Sequence, residues 1–120
     1  MGLFIDKNNI NNGIVYYYEK DSKIVIIDNT KKVNDYEVKV INFRYRPLSF
    51  KDQNHIQKKA ISVNNSGQIV LDSGVLRREK MLSQLISWDI KDDNGKDVPV
   101  NADNIDSLDN TVATAISDKI

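Results

Sequence analysis

The first half of the chain has short runs of β-branched, aromatic and alternating residues, which is the pattern of β-strands. Three runs share this pattern: residues 14–18, 23–28 and 36–46. The polar segment Glu19-Lys20-Asp21-Ser22 between the first two runs is typical of a hairpin turn. Residues 13–47 are therefore predicted to form a small antiparallel sheet of about three strands. Residues 1–12, which are polar and rich in asparagine, are predicted to be flexible.

The third run is predicted to have two different faces. Because side chains alternate along a strand, Phe43 and Tyr45 lie on one side and Arg44 and Arg46 on the other. Pro47 ends the run, since proline cannot donate to a ladder of hydrogen bonds. Aromatic and basic groups on a sheet can stack on nucleic-acid bases. Alternating strands more commonly pack one aromatic face into the core, and this is the interpretation favoured for Phe43 and Tyr45.

The second half has apolar residues at helical spacing, and three to four helices are predicted between residues 48 and 120. Ser49 followed by Asp52 resembles a capping box and predicts a helix from Phe50 to Ser62. The apolar residues of this helix are Phe50, Ile56, Ala60 and Val63. Residues 63–70, with four polar or glycine residues at their centre, are predicted to form a loop.

A longer helix is predicted from a cap at Asp72 or Ser73 to about Ser87. Its apolar residues form a broad stripe: Val75, Leu76, Met81, Leu82, Leu85 and Ile86. A stripe of this kind is more often part of a core than of a binding groove.

The polar segment from Lys91 to Asp97 contains Asn94-Gly95, a pair that occurs in tight turns and in calcium loops. With Gly95 at position six of a calcium loop, Ile90 takes position one and Asn101 position twelve, so the required aspartate and glutamate are missing. The segment therefore predicts a tight turn, and neither a metal site nor a cofactor is expected.

Two short helices are predicted to complete the chain. One is capped by Asn101 or Asp103 and leads to Leu108, and the last begins near Asn110. A small sheet followed by helices is the order of an α+β fold, here in a single domain of residues 1–120 with a β-rich part (13–47) and a helical part (48–120).

Composition narrows the possible functions. The 120 residues include no cysteine, which excludes disulfides and thiolate metal sites and fits a reducing cytoplasm. The single histidine, His55, lies among lysines and is interpreted as a solvated surface residue. Glycine-rich phosphate loops, paired-histidine metal motifs and nucleophile elbows are absent from the sequence. No run approaches the roughly 18 apolar residues of a membrane-spanning helix. We therefore expect neither an enzyme nor a membrane protein.

Charge is unevenly distributed although the formal net charge is zero. Residues 31–60 carry eight lysines and arginines against three acidic residues, and residues 88–120 carry eight aspartates against three lysines. The favoured interpretation is that the two regions attract each other, within the fold or between copies. The alternative is a basic patch for an acidic partner. Binding to nucleic acid is not expected, because nucleic-acid-binding domains are usually basic overall.

The order of motifs from Phe43 to Ile120 resembles a known family. Three segments carry the resemblance: Phe43-Arg44-Tyr45-Arg46-Pro47-Leu48-Ser49-Phe50, Leu85-Ile86-Ser87-Trp88-Asp89, and Asp93-Asn94-Gly95-Lys96-Asp97-Val98-Pro99-Val100. An aromatic-basic-Leu-Ser segment, a Trp-Asp pair after a helix and a Gly-x-x-Val/Leu-Pro turn, in this order, are similar to the tail assembly chaperones of long-tailed bacteriophages and related prophage elements. The resemblance covers about two thirds of the chain and does not account for the first 35 or so residues.

The resemblance implies a non-enzymatic protein of the host cytoplasm. Such a protein binds the tape-measure and tail-tube proteins during virion assembly and tends to associate with itself. Among the matched residues, Arg44 and Arg46 are the candidates for polar partner contacts, and Leu48 and Phe50 for an apolar contact beside them. Trp88 is a candidate anchor for a partner, although packing under the Gly95–Pro99 turn is the favoured interpretation.

Two other functions fit the same sequence. A structural virion component, such as a tail, neck or baseplate subunit, would remain in the finished particle. A small phage nucleic-acid-binding or inhibitor protein would use the basic region 31–60.

Overall fold

Among the described residues, the main sheet has four antiparallel strands. The structure is a computed structural model that describes residues 9–28 and 36–120. Numbered in chain order and given in their order across the sheet, the strands are β2 (Lys23–Ile27), β1 (Asn11–Lys20), β3 (Lys39–Tyr45) and β6 (Leu85–Trp88). The first hairpin is confirmed, with Asp21 and Ser22 as its two-residue turn. Both turn residues have positive φ, which matches the twist that hairpins of this type require.

The other elements of the described ranges are four helices and a separate two-stranded ribbon. They are α1 (Phe50–Ala60), β4 (Ile61–Val63), β5 (Ile69–Leu71), α2 (Ser73–Gln84), α3 (Ala102–Asp106) and α4 (Asn110–Lys119). Together with the sheet they confirm the predicted α+β class.

The start of β1 corrects one predicted boundary. Flexibility is predicted for residues 1–12, but β1 begins at Asn11, whose neighbour in β3 is Tyr45. Residues 1–8 of that prediction lie outside the described residues.

The end of α1 corrects a second prediction. The helix ends at Ala60, two residues before the predicted Ser62, because Ile61 and Ser62 belong to β4. The loop predicted over residues 63–70 is wrong, since its two ends are paired strands with Val63 opposite Ile69. Val63 therefore lies on a strand and does not extend the apolar face of α1.

The end of α2 corrects a third prediction. The helix ends at Gln84, before the predicted Ser87, because residues 85–88 form β6 beside β3. Phe43 lies opposite Trp88 and Arg44 opposite Ser87. The part predicted as helical (48–120) thus contains three strands, one of which completes the main sheet. Pairing with β3 outweighs the helical spacing of Leu85 and Ile86, because it satisfies backbone groups along the edge of β3.

One hydrophobic cluster joins the two halves of the chain. Strands β1, β3 and β6 contribute buried side chains from the inner face of the sheet, and the helices contribute the rest: Val15, Ile41, Phe43, Met81, Leu85, Ile105, Val112 and Ile116. Phe43 is fully buried, and the ring of Tyr45 lies 5.9 Å from its ring. The core interpretation of this aromatic face is therefore confirmed, and stacking on bases is not available to Phe43.

Side-chain caps fix where the helices begin. The hydroxyl of Ser49 accepts a hydrogen bond from the backbone N–H of Asp52 at 3.2 Å, as the sequence predicts. The carboxylate of Asp72 accepts a hydrogen bond from the backbone N–H of Val75 at 3.1 Å. The remaining two caps are Asn101 for α3 and Asp109 for α4.

An exposed ion pair joins α2 to α3. Nε of Arg78 lies 2.7 Å from Oδ1 of Asp106. The hydrogen bond from Arg78, together with its positive charge, holds the pKa of Asp106 below its usual value. Because the carboxyl pKa is lowered by folding, the stabilising effect of this pair is present above the unfolded-state pKa. It is lost as the pH falls through the folded-state pKa.

We expect Arg78→Met to raise the pKa of the Asp106 carboxyl towards its ordinary value. Methionine keeps an unbranched apolar side chain in place of the arginine stem but removes the donor and the charge. A carbon-detected NMR titration of the Asp106 side chain measures the midpoint directly. An unchanged midpoint in the variant would show that Arg78 does not set it.

Candidate partner-binding surfaces

The two arginines predicted to meet a partner lie at the end of β3 and are exposed. Arg44 projects from the face of the sheet opposite to Phe43. It borders a surface depression of about 330 Å³ that Trp88 and Asp89 also line. The structure therefore brings Arg44 and Trp88 to adjacent strands, although 43 residues separate them along the chain.

Arg46 is held in place through its backbone. Its N–H donates to the carbonyl of Gln84 at 2.9 Å, and the side-chain amide of Gln84 donates to the carbonyl of Arg46 at 2.8 Å. Gln84 is buried, so these two hydrogen bonds fix the position of the chain just before Pro47. The guanidinium of Arg46 remains exposed to solvent.

Trp88 is half-buried and packs against the hydrophobic cluster. Its indole N–H donates to the carbonyl of Val98, inside the Gly95–Pro99 segment. This contact agrees with the favoured interpretation, in which Trp88 packs under the Gly95–Pro99 turn. A role for Trp88 as a partner anchor stays a prediction.

Leu48 and Phe50 lie in different environments. Leu48 is half-buried between β3 and α1, whereas Phe50, the first residue of α1, is 84% exposed. A phenyl ring left almost entirely in water contributes little to the fold and is available for a contact with another molecule.

The β4–β5 ribbon is the surface that the sequence analysis missed. All residues from 61 to 71 are exposed, and none of them is charged. Because side chains alternate along strands, four large aliphatic side chains share one face of the ribbon. They are Ile61, Val63, Ile69 and Leu71, with exposures of 47%, 67%, 76% and 51%. We call this the apolar face of the ribbon; Ser62 and Val70 lie on the opposite face.

The ribbon has a defined shape although it is exposed. At its tip the side-chain oxygen of Asn64 accepts hydrogen bonds from the N–H groups of Ser66 at 3.0 Å and Gln68 at 2.9 Å. Gly67 has a φ of 77°, a value that glycine adopts without strain. At its base the N–H of Asp72 donates to the carbonyl of Ala60 at 2.8 Å, which ties the end of α1 to the start of α2.

The polar segment from Lys91 to Asp97 forms the predicted tight turn. The carboxylate of Asp92 accepts from the N–H groups of Asn94 at 2.9 Å and Lys96 at 3.0 Å. Lys91 forms a bridge with Asp97 on either side of the turn. Asp92 is thus engaged by the backbone of the turn itself. Within residues 9–28 and 36–120 there is no group of three or more potential metal ligands.

His55 lies on the exposed side of α1, as predicted, beside Lys51 and Lys58. In the described part of the chain, no helix has the length and apolar character needed to cross a membrane.

The ion pairs of the described residues do not join the basic region to the acidic one. Lys39 pairs with Glu19 at 3.7 Å, and Lys59 pairs with Glu79 at 3.4 Å. Asp106 pairs with Arg78, which lies outside both regions. Helix α1, with its exposed lysines, packs against α2, and α3 and α4 also contact α2.

Comparisons with family models, curated proteins and solved structures found no match.

Proposed function

We propose that this chain is a bacteriophage tail assembly chaperone, a non-enzymatic protein that binds the tape-measure and tail-tube proteins in the host cytoplasm. The observation that carries the proposal is the apolar face of the ribbon. Four aliphatic side chains on one face, each about half exposed or more, form an apolar patch of the kind that marks interaction sites. A protein that holds an assembling partner and then releases it needs such a surface.

The surface around α1 supports the same proposal. Phe50 begins the helix and the ribbon follows its last residue, so the two apolar contacts are separated by about 15 Å of helix. The exposed side chains of Lys51 and Lys58 lie between them. A partner segment with aliphatic side chains and acidic residues matches this arrangement, because its acids meet the lysines while its aliphatic groups cover the ribbon.

Co-expression with the tape-measure protein of the same genome, followed by affinity capture, tests the proposal. We expect the native chain to retain the tape-measure protein and Ile69→Asp to retain at least about tenfold less, because a carboxylate would be buried in the contact. Val70→Asp is the matched control, since Val70 is the next residue and lies on the opposite face of the ribbon. The tail-tube protein is tested in the same way.

Two outcomes would contradict the proposal. One is a folded chain that retains neither protein. The other is detection of the chain in purified virions at the copy number of a tail, neck or baseplate subunit, which would favour the structural alternative. A salt-dependent shift with DNA or RNA would instead favour a nucleic-acid-binding role.

A further inference from the structure

The tight turn at residues 92–96 contains one of the two Asn-Gly pairs of the chain. Asn94 and Gly95 are exposed, and a Cβ atom on Gly95 would meet no atom beyond its chain neighbours within 4 Å. The N–H of Gly95 donates to the carbonyl of Asp92 at 3.0 Å. Breaking an exposed hydrogen bond of this kind costs about 1 kcal/mol, because water replaces the lost partner. The backbone nitrogen of Gly95 can therefore leave its place in the turn at little cost.

We propose that Asn94 is a site of spontaneous deamidation, in which the backbone of Gly95 attacks the side-chain amide. The Gly95 nitrogen loses its proton to solvent base and forms a bond to Cγ of Asn94. The Cγ–Nδ2 bond breaks, and its nitrogen takes a proton and leaves as ammonia, so that a five-membered succinimide ring remains. Water then opens the ring, either at Cγ to give aspartate or at the backbone carbonyl to give isoaspartate, whose backbone continues through Cβ and Cγ. Glycine favours the first step because it has no Cβ to obstruct the approach of its nitrogen.

The second Asn-Gly pair lies in β1 and is protected by the fold. Gly13 lies opposite Phe43 in the register of β1 and β3. A Cβ atom placed on Gly13 would lie 2.2 Å from the Phe43 ring, which is fully buried. Attack on Asn12 requires the backbone of Gly13 to turn out of the sheet, which breaks the pairing with β3 and displaces packed atoms. The cost of this opening approaches that of unfolding the sheet, so the same dipeptide is expected to react at least about tenfold more slowly here.

The tip of the ribbon is a turn of the same construction without the reactive pair. Residues 64–68 repeat the hydrogen bonds of residues 92–96, including the N–H of the turn glycine that donates at 3.0 Å to a carbonyl three residues earlier. The two glycines have φ values of 77° and 78°. Ser66 stands in the ribbon at the place that Asn94 occupies in the other turn. Serine therefore fits this turn, and Asn94→Ser is expected to remove the reaction while keeping the turn.

The isoaspartyl product would loosen the hold on Trp88. In the hairpin of residues 90–98 the N–H of Val98 donates to the carbonyl of Ile90 at 3.1 Å. The carbonyl of Val98 in turn accepts from the indole N–H of Trp88. An isoaspartate at position 94 lengthens the backbone of the turn by one atom, so the turn no longer brings the two arms of the hairpin into register. We therefore expect Val98 to shift and Trp88 to become more exposed.

Incubation of the purified chain at mildly alkaline pH, followed by peptide mass spectrometry, tests the site. We expect the peptide containing Asn94 to gain about 1 Da, the difference between an amide and a carboxyl group, with at least about tenfold more conversion than at Asn12. In urea, where β1 is no longer paired, the two sites should react at similar rates, and Asn94→Ser should show no gain at this turn. Equal conversion of Asn12 and Asn94 in the folded chain would overturn the proposal. Conversion of Asn94 in urea but not in the folded chain would also overturn it.

Fluorescence tests the effect on Trp88, which is the single tryptophan of the chain. The isoaspartyl form, separated by chromatography, is expected to emit at longer wavelength than the native chain, because water reaches the indole. Asn94→Asp is the matched control, since it adds the same charge without lengthening the backbone, and its emission should match that of the native chain. An isoaspartyl form that emits like Asn94→Asp would overturn the release of Trp88. These variants leave the ribbon unchanged, so the capture experiment is independent of them.

Discussion

Alanine in place of Ile116 is expected to lower the free energy of unfolding by about 3 to 4 kcal/mol. Ile116 lies in α4, is 0% exposed and belongs to the cluster that joins the sheet to the helices. Its truncation loses the burial of three carbon atoms and leaves a cavity between elements that are far apart in the chain. Urea denaturation followed by circular dichroism measures the change as a shift of the midpoint.

Ile69→Ala is the matched control, with the same change of side chain at an exposed position. Ile69 is 76% exposed, so its truncation should alter the free energy of unfolding by less than about 0.5 kcal/mol at low protein concentration. A loss at Ile69 equal to that at Ile116 would mean that the ribbon packs into the fold. The difference between the two variants separates residues that hold the structure together from residues that are free to bind.

The sequence predicts well those elements whose signals are local. The first hairpin has two apolar runs around a polar turn, and each of the helices has a capping residue close to its predicted start. The alternation along β3 also predicts which side of the strand faces the core. In these cases the determining contacts lie within a few residues of one another, so the pattern contains them.

Strand β6 could not be predicted from the local sequence, and the reason is physical. Leu85 and Ile86 continue the apolar spacing of α2, and nothing nearby stops a helix at Gln84. What ends it is pairing with β3, about 40 residues earlier, and the two hydrogen bonds between Gln84 and Arg46. Contacts of this range decide the structure of short apolar segments and leave little trace in their own sequence.

The β4–β5 ribbon, in contrast, has a recognisable hairpin pattern in the sequence. Two pieces rich in β-branched residues flank the five-residue segment 64–68, which contains Gly67, and this is the pattern of a short hairpin with a longer loop. Because each strand has only three residues, the polar centre dominates and favours a loop. The exposure of the apolar face has no counterpart in the sequence, since alternation predicts a face without saying whether anything covers it. Of the residues predicted to contact a partner, Arg44, Arg46 and Phe50 are exposed, whereas the ribbon was not among the predicted residues.

Gly13→Ala is expected to lower the free energy of unfolding by about 3 kcal/mol, which is large for the addition of one methyl group. Gly13 lies opposite Phe43 in the register of β1 and β3. A Cβ atom on Gly13 would lie 2.2 Å from Cζ and 2.4 Å from Cε2 of the Phe43 ring. Phe43 is fully buried in the cluster, so its ring has little room to move away. Chemical denaturation of the variant measures the effect.

A double-mutant cycle shows whether the ring is the cause. In a Phe43→Leu background the side chain no longer reaches over β1, and the Gly13→Ala change should then cost less than about 1 kcal/mol. Once the clash is gone, alanine would even stabilise the fold slightly, because it loses less backbone conformational entropy on folding than glycine does. If the loss were equally large in both backgrounds, the cause would lie in the β1 backbone rather than in the ring. A loss that depends on Phe43 would establish that the absence of a side chain at Gly13 makes room for the buried Phe43 ring.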